Sequence, residues 1–312
     1  MIPATFSANY VEAFHQTISS GQKMSAALEE GTDSAGGYAV PITVDQQIVP
    51  LAPSDLAVRN LAMVIPTVSD IKSPGTATLP TATAKSEGSS FGASVPSLNQ
   101  FTLSAFLAGA QDDISFELAG DAKLFPAFYG ESVSLAIQEY EENLFVNGTG
   151  TGQPQGLLGN IDTGVSAAVA DGGGNLLSID ATFQILGTLK DKYYVNASWL
   201  MQRATAIELR RAQLAASLFE PVFTRYNGQD YLHGFPVFYS GAMPAIAAGA
   251  TPVIFGDFRQ GYLIGDRGGP AIRTKVLDQA KAAQGLITLL TYRRTDGRVR
   301  LSEALKALTL HS

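Results

Sequence analysis

Between Ile71 and Phe91 the chain carries almost no large apolar side chain, yet the residues on either side alternate as strands do. Ser, Thr, Ala, Gly and Pro dominate the wider segment from Ile65 to Gln111, a composition that ordinarily reads as linker. The flanks say otherwise. Thr76-Ala77-Thr78-Leu79-Pro80 runs outward and Phe101-Thr102-Leu103-Ser104-Ala105-Phe106-Leu107 returns, with the period of two that a strand requires. The segment therefore predicts a long two-stranded hairpin. Such a hairpin is marginal in water by itself, and the sequence offers no spare sheet to carry it. Its support is expected from another molecule, most simply a second copy of the same chain.

Composition points the same way. Hydrophobic residues make up 46% of the 312 and charged residues 16%, whereas a free-standing soluble protein carries about a quarter charged. A chain short of charge must hide surface elsewhere, and oligomer interfaces are the usual place. The length allows one large or two medium domains. A net charge of −7 argues against a grip on nucleic-acid phosphates, which needs a basic face, but suits a wall that encloses DNA without holding it. Cysteine is absent, which removes disulfides, thiol catalysis and zinc-thiolate sites. The three histidines, His15, His233 and His311, lie far apart, so neither metal nor cofactor is expected. Met1 to Gln22 contains no apolar core run, so no secretion signal is expected. No apolar run approaches the roughly 18–20 residues of a membrane span. The sequons at Asn147 and Asn196 are accordingly expected to be idle.

Along the chain, residues 1–35 read as a polar arm with a weak helix near Tyr10 to Ile18. Val44, Ile48 and Leu51 recur at helical spacing. Asp112-Asp113 are expected to cap a short helix through Leu118. The longest helix is predicted from about Leu124 to Phe145, with Val133, Ile137, Tyr140 and Leu144 as its apolar stripe and Glu131, Glu139, Glu141 and Glu142 solvating the rest. Asn147-Gly148 should stop it. Beyond, the pattern is α+β. Asp180 is expected to cap a helix bearing Phe183, Leu186, Leu189 and Tyr193. Strands follow at Ser198–Met201, Pro236–Tyr239, Val253–Phe255 and Tyr262–Ile264, with a helix at about Arg203–Arg211. Asp296-Gly297 is a strong hairpin-turn signal between Leu286–Arg293 and the strand from Val299.

Motifs that could carry chemistry fail on context. Gly148-Thr149-Gly150-Thr151-Gly152 leaves a helix, whereas phosphate loops leave a strand and open one; it reads as a helix stop. Ser69-Asp70-Ile71-Lys72 matches a serine–lysine acyl-transfer signature, but Pro66 and Pro74 bracket it and forbid the helix it needs. The acidic pairs at Glu141-Glu142 and Asp112-Asp113 lack the partners of a hydrolytic site. His233 is expected at the surface of a turn. No catalytic constellation emerges, and the chain is not expected to be an enzyme.

Four strings in order resemble the tailed-bacteriophage major capsid proteins of the Hong Kong 97 type. They are Gly36-Gly37-Tyr38-Ala39-Val40-Pro41, then Glu141 to Gly150 with Pro154-Gln155-Gly156-Leu157, then His233-Gly234-Phe235-Pro236-Val237 with Ser240 and Met243-Pro244, and Phe255-Gly256-Asp257-Phe258 with Gly261-Tyr262. The resemblance covers residues 36 to about 300. It implies an α+β Hong Kong 97-like capsid fold with an N-terminal arm (1–62), an extended loop (63–112), a peripheral domain with a spine helix (113–158), an axial domain (159–280) and return strands of the peripheral domain (281–312). It further implies self-assembly into pentamers and hexamers of an icosahedral head that encloses double-stranded DNA without sequence-specific binding. The implied partners are further copies, a portal, a separate scaffold and decoration proteins, with no membrane, in a virion assembled in the bacterial cytoplasm.

Some relatives weld the shell by an isopeptide bond between a loop lysine and a neighbour's asparagine, assisted by a glutamate. By that resemblance the asparagine position holds Gly285 and the glutamate position Tyr292, and no asparagine follows Asn227. Lys72 and Lys85 are therefore expected to be contact or surface charges, and no crosslink is expected. The scaffolding segment that many relatives carry ahead of the arm has no counterpart before Met1, which implies a separate scaffold or a shortened form. Candidate assembly contacts are Lys85 and Glu87 at the loop tip and Arg293, Arg294 and Arg298 around the expected turn. The rival readings are an encapsulin-like nanocompartment shell and, from another class, a hydrolase or carbohydrate-binding protein.

Overall fold

The computed structural model describes residues 56–77, 84, 87–88, 98–121, 125–168, 177–215 and 221–311. The expected arm helices, the first of the four strings and Lys85 lie outside them. The described residues divide into two compact units, one of residues 109–136 and 273–291 and the other of residues 56–108, 137–272 and 292–311.

In chain order the described elements are α1 (Val58–Leu61), β1 (Met63–Thr67), β2 (Ile71–Ala77), β3 (Leu98–Leu103), β4 (Phe106–Ser115), α2 (Phe116–Asp121), α3 (Phe125–Asn147), β5 (Asp162–Ala168) and α4 (Ile179–Thr188). They continue with β6 (Ser198–Met201), α5 (Arg203–Ala215), β7 (Phe223–Tyr226), β8 (Gln229–Leu232), β9 (Phe235–Tyr239), β10 (Val253–Gly256), α6 (Phe258–Gly261), β11 (Tyr262–Arg267), β12 (Arg273–Lys281), β13 (Leu286–Val299) and β14 (Leu305–His311).

The larger unit is built on a seven-stranded sheet in the order β5-β14-β10-β6-β9-β8-β7. Its central strands are buried on both faces, which is why they read as unbroken apolar runs. Trp199, Met201, Val253 and Phe255 enter one core with Leu177, Ile185, Tyr193 and Leu308. Leu200 and Ile254, between them in sequence, enter a second core with Phe145, Leu157, Phe258 and Tyr262. Each such fully buried large side chain contributes about 1.5–3 kcal/mol, so the sheet is held by packing from both sides. A shorter sheet in the same unit sets β1 parallel to β11 and β11 antiparallel to the C-terminal part of β13. In the smaller unit Ile114, Ile287 and Leu289 form a local core with Tyr129 against it.

Several expectations need correcting. Asp112 and Asp113 are not caps: β4 runs through them to Ser115, whose hydroxyl accepts the Leu118 N–H at the start of α2. Their carboxylates are satisfied instead across the strand, Asp112 by the Tyr129 hydroxyl at 2.8 Å and Asp113 by Thr288 at 2.6 Å and by Lys281. Ser178, not Asp180, caps α4. That helix buries Ile179, Ala181, Thr182 and Ile185 and leaves Phe183 exposed. The return strand of the hairpin ends at Leu103, and Phe106 already belongs to β4. On α3, Val133, Ile137 and Leu144 are buried as expected, but Tyr140 is 53% exposed while Glu141 and Glu142 are 1% and 5% exposed.

No turn forms at Asp296-Gly297: β13 passes straight through them. The reason is local. A Cβ on Gly297 would stand 2.3 Å from Tyr262 Oη and 2.9 Å from Phe145 Cδ1, so the glycine serves close approach in a strand. Gly148 does serve as a helix stop. There the backbone doubles back so tightly that a Cβ would lie 2.2 Å from the Pro154 carbonyl and 2.4 Å from that of Leu144. Ser69 and Asp70 lead into β2 with no helix, as the flanking prolines require. His233 sits in a turn at φ 52°, but it is half-buried, with Nε2 2.7 Å from the Thr182 hydroxyl. Burial pulls its pKa down to about 4.

Candidate assembly surface

The expected hairpin exists. β2 and β3 pair antiparallel, from Ile71 opposite Leu103 to Ala77 opposite Leu98, with an irregularity after Pro74. They form a two-stranded sheet of their own among the described residues. A third strand would satisfy the outer backbone groups, and a packed face would supply the missing burial. Neither is provided by the strands described.

The root of this ribbon, by contrast, is held tightly. Leu103 is buried, and Gly265 lies where a Cβ would meet Leu103 Cδ1 and Thr67 Cγ2, each at 3.4 Å. The Asp296 carboxylate accepts the Ser104 N–H at 2.7 Å, where the ribbon rejoins the body, and the Gly297 N–H at 2.8 Å. On the outgoing side Arg267 pairs with Asp70, and Gly268 donates its N–H to the Thr67 carbonyl at 3.1 Å. Among the described residues the ribbon is thus fixed at its root and paired with no third strand.

Below the root lies a buried charge cluster that the sequence reading missed. Glu141 of α3 accepts from Arg293 Nε at 2.6 Å and from Arg59 Nη2 at 2.9 Å. Arg59 reaches on to Asp266 at 2.7 Å, which also accepts the Thr295 hydroxyl at 2.9 Å. Two guanidinium groups thus balance two carboxylates. Glu142 faces another way and accepts the N–H groups of Ala57 and Val58 at 3.0 and 3.1 Å, which ties α1 to the helix. Burial raises the pKa of Glu142. The readable signal was Leu144-Phe145-Val146, an apolar run with no polar face left over, which places the adjoining helix turn in the interior on every side.

Asp296 gives a pH signature. Burial pushes its carboxyl from 3.8 up to about 6, against the opposing pull of the Ser104 N–H and Arg298. A carboxyl raised on folding binds its proton more tightly in the folded chain. Its contribution to stability is therefore present below its unfolded value and is lost as pH rises through about 6. Glu303 behaves oppositely. Lys190, Lys192 and Tyr193 hold it down at about 2, so its contribution is present above its ordinary range and lost as pH falls toward 2. Urea melts between pH 4 and 6 should show stability falling by about 2 kcal/mol from Asp296. Asp296→Asn should remove most of that slope; an unchanged slope would contradict the assignment.

The candidate contact residues are not gathered in one place. Glu87 is exposed in a turn, and Arg294 is exposed on β13. Arg298 is partly buried, with Nε 3.8 Å from Asp296. Arg293 is buried against Glu141 and committed within its own chain. Among the described residues no group of three or more metal-ligating side chains could hold an ion.

A mixed α+β body, a 23-residue helix and a two-stranded ribbon held at its root are the parts of a Hong Kong 97-type shell subunit. The comparisons carry this further, and the chain belongs to the phage capsid family, whose sequence model matches residues 36–310. It is similar in structure to the capsid of an empty GTA particle, with a TM-score of 0.70 and 23% identity over 92% of this chain and 100% of that one. It is similar also to a structure from Mycobacterium phage Bobi, with a TM-score of 0.64 and 16% identity over 92% of this chain and 100% of that one. The SrpI encapsulin of Synechococcus elongatus gives a TM-score of 0.61 and 14% identity over 91% of this chain and 96% of that one. No curated protein sequence matches. The chain is a capsid shell protein.

Proposed function

We propose that the chain assembles into pentamers and hexamers that close an icosahedral head around double-stranded DNA, without catalysis and without covalent crosslinks. The observation that carries this reading is the ribbon β2/β3, fixed at its root by Asp296 and Arg267 and, among the described residues, paired with no third strand. A ribbon of this kind is completed by laying it on an adjoining copy. Repetition of one such head-to-tail contact generates closed rings when the rotation closes. The division into arm (1–62), extended loop (63–112), peripheral domain (113–158), axial domain (159–280) and return strands (281–312) belongs to the same proposal. So do a portal, a separate scaffold and decoration proteins as partners, and assembly in the host cytoplasm. Glu87 and Arg294, both exposed, are the best-placed of the proposed contact charges; Lys85 is proposed with them. Arg298 stays a weaker candidate, and Arg293 has a partner at home.

Absence of crosslinking has its own test. The acceptor position is held by Gly285 in a left-handed turn at φ 70°, and the assisting position by Tyr292 on β13. Neither side chain can accept or assist amide formation with a lysine. Particles boiled in denaturant should therefore run as one band at the 32.9 kDa of the chain; a ladder of covalent oligomers would contradict this. The likeness to an encapsulin speaks to fold alone, and a nanocompartment is distinguished by its contents. Electron microscopy of native particles should show heads filled with DNA, whereas a co-purifying enzyme cargo in small empty-walled shells would favour the nanocompartment.

A further inference from the structure

We propose that Asn227, at the tip of the hairpin β7–β8, is a site of spontaneous covalent modification, where attack by the following backbone nitrogen exchanges the side-chain amide for a carboxylate. The chain contains two Asn-Gly pairs, Asn147-Gly148 and Asn227-Gly228. Glycine after asparagine favours this reaction because no side chain shields the nitrogen from the neighbouring amide carbon and the backbone turns freely. The fold puts the two pairs in opposite surroundings. Tyr226 and Gln229 are paired across the hairpin, and Asn227 and Gly228 between them have φ of 49° and 82°, the two positive angles of a type I′ turn. Both residues are exposed. A Cβ on Gly228 would meet nothing within 4 Å, and among the described residues nothing accepts the Gly228 N–H or engages the Asn227 amide. The backbone rotation that brings this nitrogen onto Asn227 Cγ therefore disturbs the turn alone.

Asn147 is locked by contrast. Its Nδ2 donates to Asn143 Oδ1 at 2.8 Å and to the Ala242 carbonyl at 3.0 Å, and the Gly148 N–H donates to the Leu144 carbonyl at 2.8 Å. Gly148 is buried, and the Pro154 and Leu144 carbonyls close on it. Attack there must first break those hydrogen bonds and move packed backbone, which slows it at least about tenfold. The chemistry at Asn227 needs water alone as co-reactant. The Gly228 nitrogen gives up its proton and bonds to Asn227 Cγ; the Cγ–Nδ2 bond breaks, and ammonia leaves with that proton. Water then opens the cyclic imide at either carbonyl. Opening at Cγ gives aspartate. Opening at the main-chain carbonyl gives isoaspartate, which routes the backbone through the former side chain and adds a carbon to a turn that had room for two residues. Either product takes the chain from −7 to −8, in the turn where Arg225 Nη2 lies 3.5 Å from the Gly228 carbonyl.

None of this chemistry depends on shell assembly. The test keeps the full-length chain folded in mildly alkaline buffer, samples it over time and maps it by mass spectrometry after pepsin digestion in acid, where the reaction is suppressed. An isoaspartate-specific methyltransferase scores the rearranged product. Asn227 should convert at least about tenfold faster than Asn147, with isoaspartate present at 227. In urea the two should age alike, since each precedes glycine. Asn227→Gly keeps a sequence suited to a type I′ turn and should remove the first acidic species that isoelectric focusing resolves from the aged wild type. Comparable rates in the folded chain, faster loss at Asn147, or conversion of Asn227 only after unfolding would overturn the proposal. So would a gap between the two positions that persists in urea, because its cause would then lie outside the fold.

Discussion

Replacing residues 78–97 by Asn-Gly should abolish particle formation while leaving the subunit folded. Ala77 and Leu98 are paired, so a two-residue turn of that type can close the shortened ribbon without disturbing its root. The root contacts from Asp296 to Ser104 and from Arg267 to Asp70 are untouched. Because among the described residues β2 and β3 pair only with each other, stability of the isolated subunit should change by no more than about 1 kcal/mol. The effect on assembly is of another order. A loss of even about 3 kcal/mol at one intersubunit contact lowers its association constant roughly a hundredfold, and a closed shell repeats that contact at every position. Electron microscopy and sedimentation should find soluble subunits and no heads. Normal heads from the shortened chain would mean that the ribbon is ornamental.

The second large effect concerns folding. Glu141→Ala should destabilise the subunit by about 3–5 kcal/mol, because it strips Arg293 of its carboxylate partner in the interior and leaves Arg59 held by Asp266 alone. The side chains of Glu141 and Arg293 are 1% and 6% exposed, so water cannot replace the lost partner. Arg293→Met removes the opposite charge and fills similar volume, but orphans Glu141 from one of its two guanidinium partners. The double variant Glu141→Ala/Arg293→Met should therefore cost less than the two single changes summed, by about 1–3 kcal/mol. Urea unfolding of the unassembled subunit reads this directly. Strict additivity would show that the pair does not act as a unit.

Much of the fold was legible because its signals are local. The ribbon announced itself by alternating flanks around a small-residue stretch. The sheet strands Ser198–Met201 and Val253–Gly256 announced themselves as short apolar runs. Where reading failed, a tertiary contact had overridden a local preference. Asp296-Gly297 is a strong turn signal, but the glycine is needed where Tyr262 and Phe145 press against β13, and the aspartate is needed to hold Ser104. Glu141 and Glu142 look like a solvated helix face until Arg59, Arg293 and the amides of Ala57 and Val58 arrive from 82 to 152 residues away. Asp112 and Asp113 suit a helix cap in isolation, yet Tyr129 and Thr288 claim them in a strand. Arg293 meets Glu141 from 152 residues away, a pairing invisible in one dimension.

Amide hydrogen exchange over residues 71–77 and 98–103, compared between free subunits and assembled heads, bears most directly on the dependence of the ribbon on its neighbour. The expected pattern is rapid exchange in the free subunit beyond the Leu103 root, and strong protection of the same amides once the head has closed. Ribbon amides already protected in a stable lone subunit, with no further slowing in the head, would contradict it.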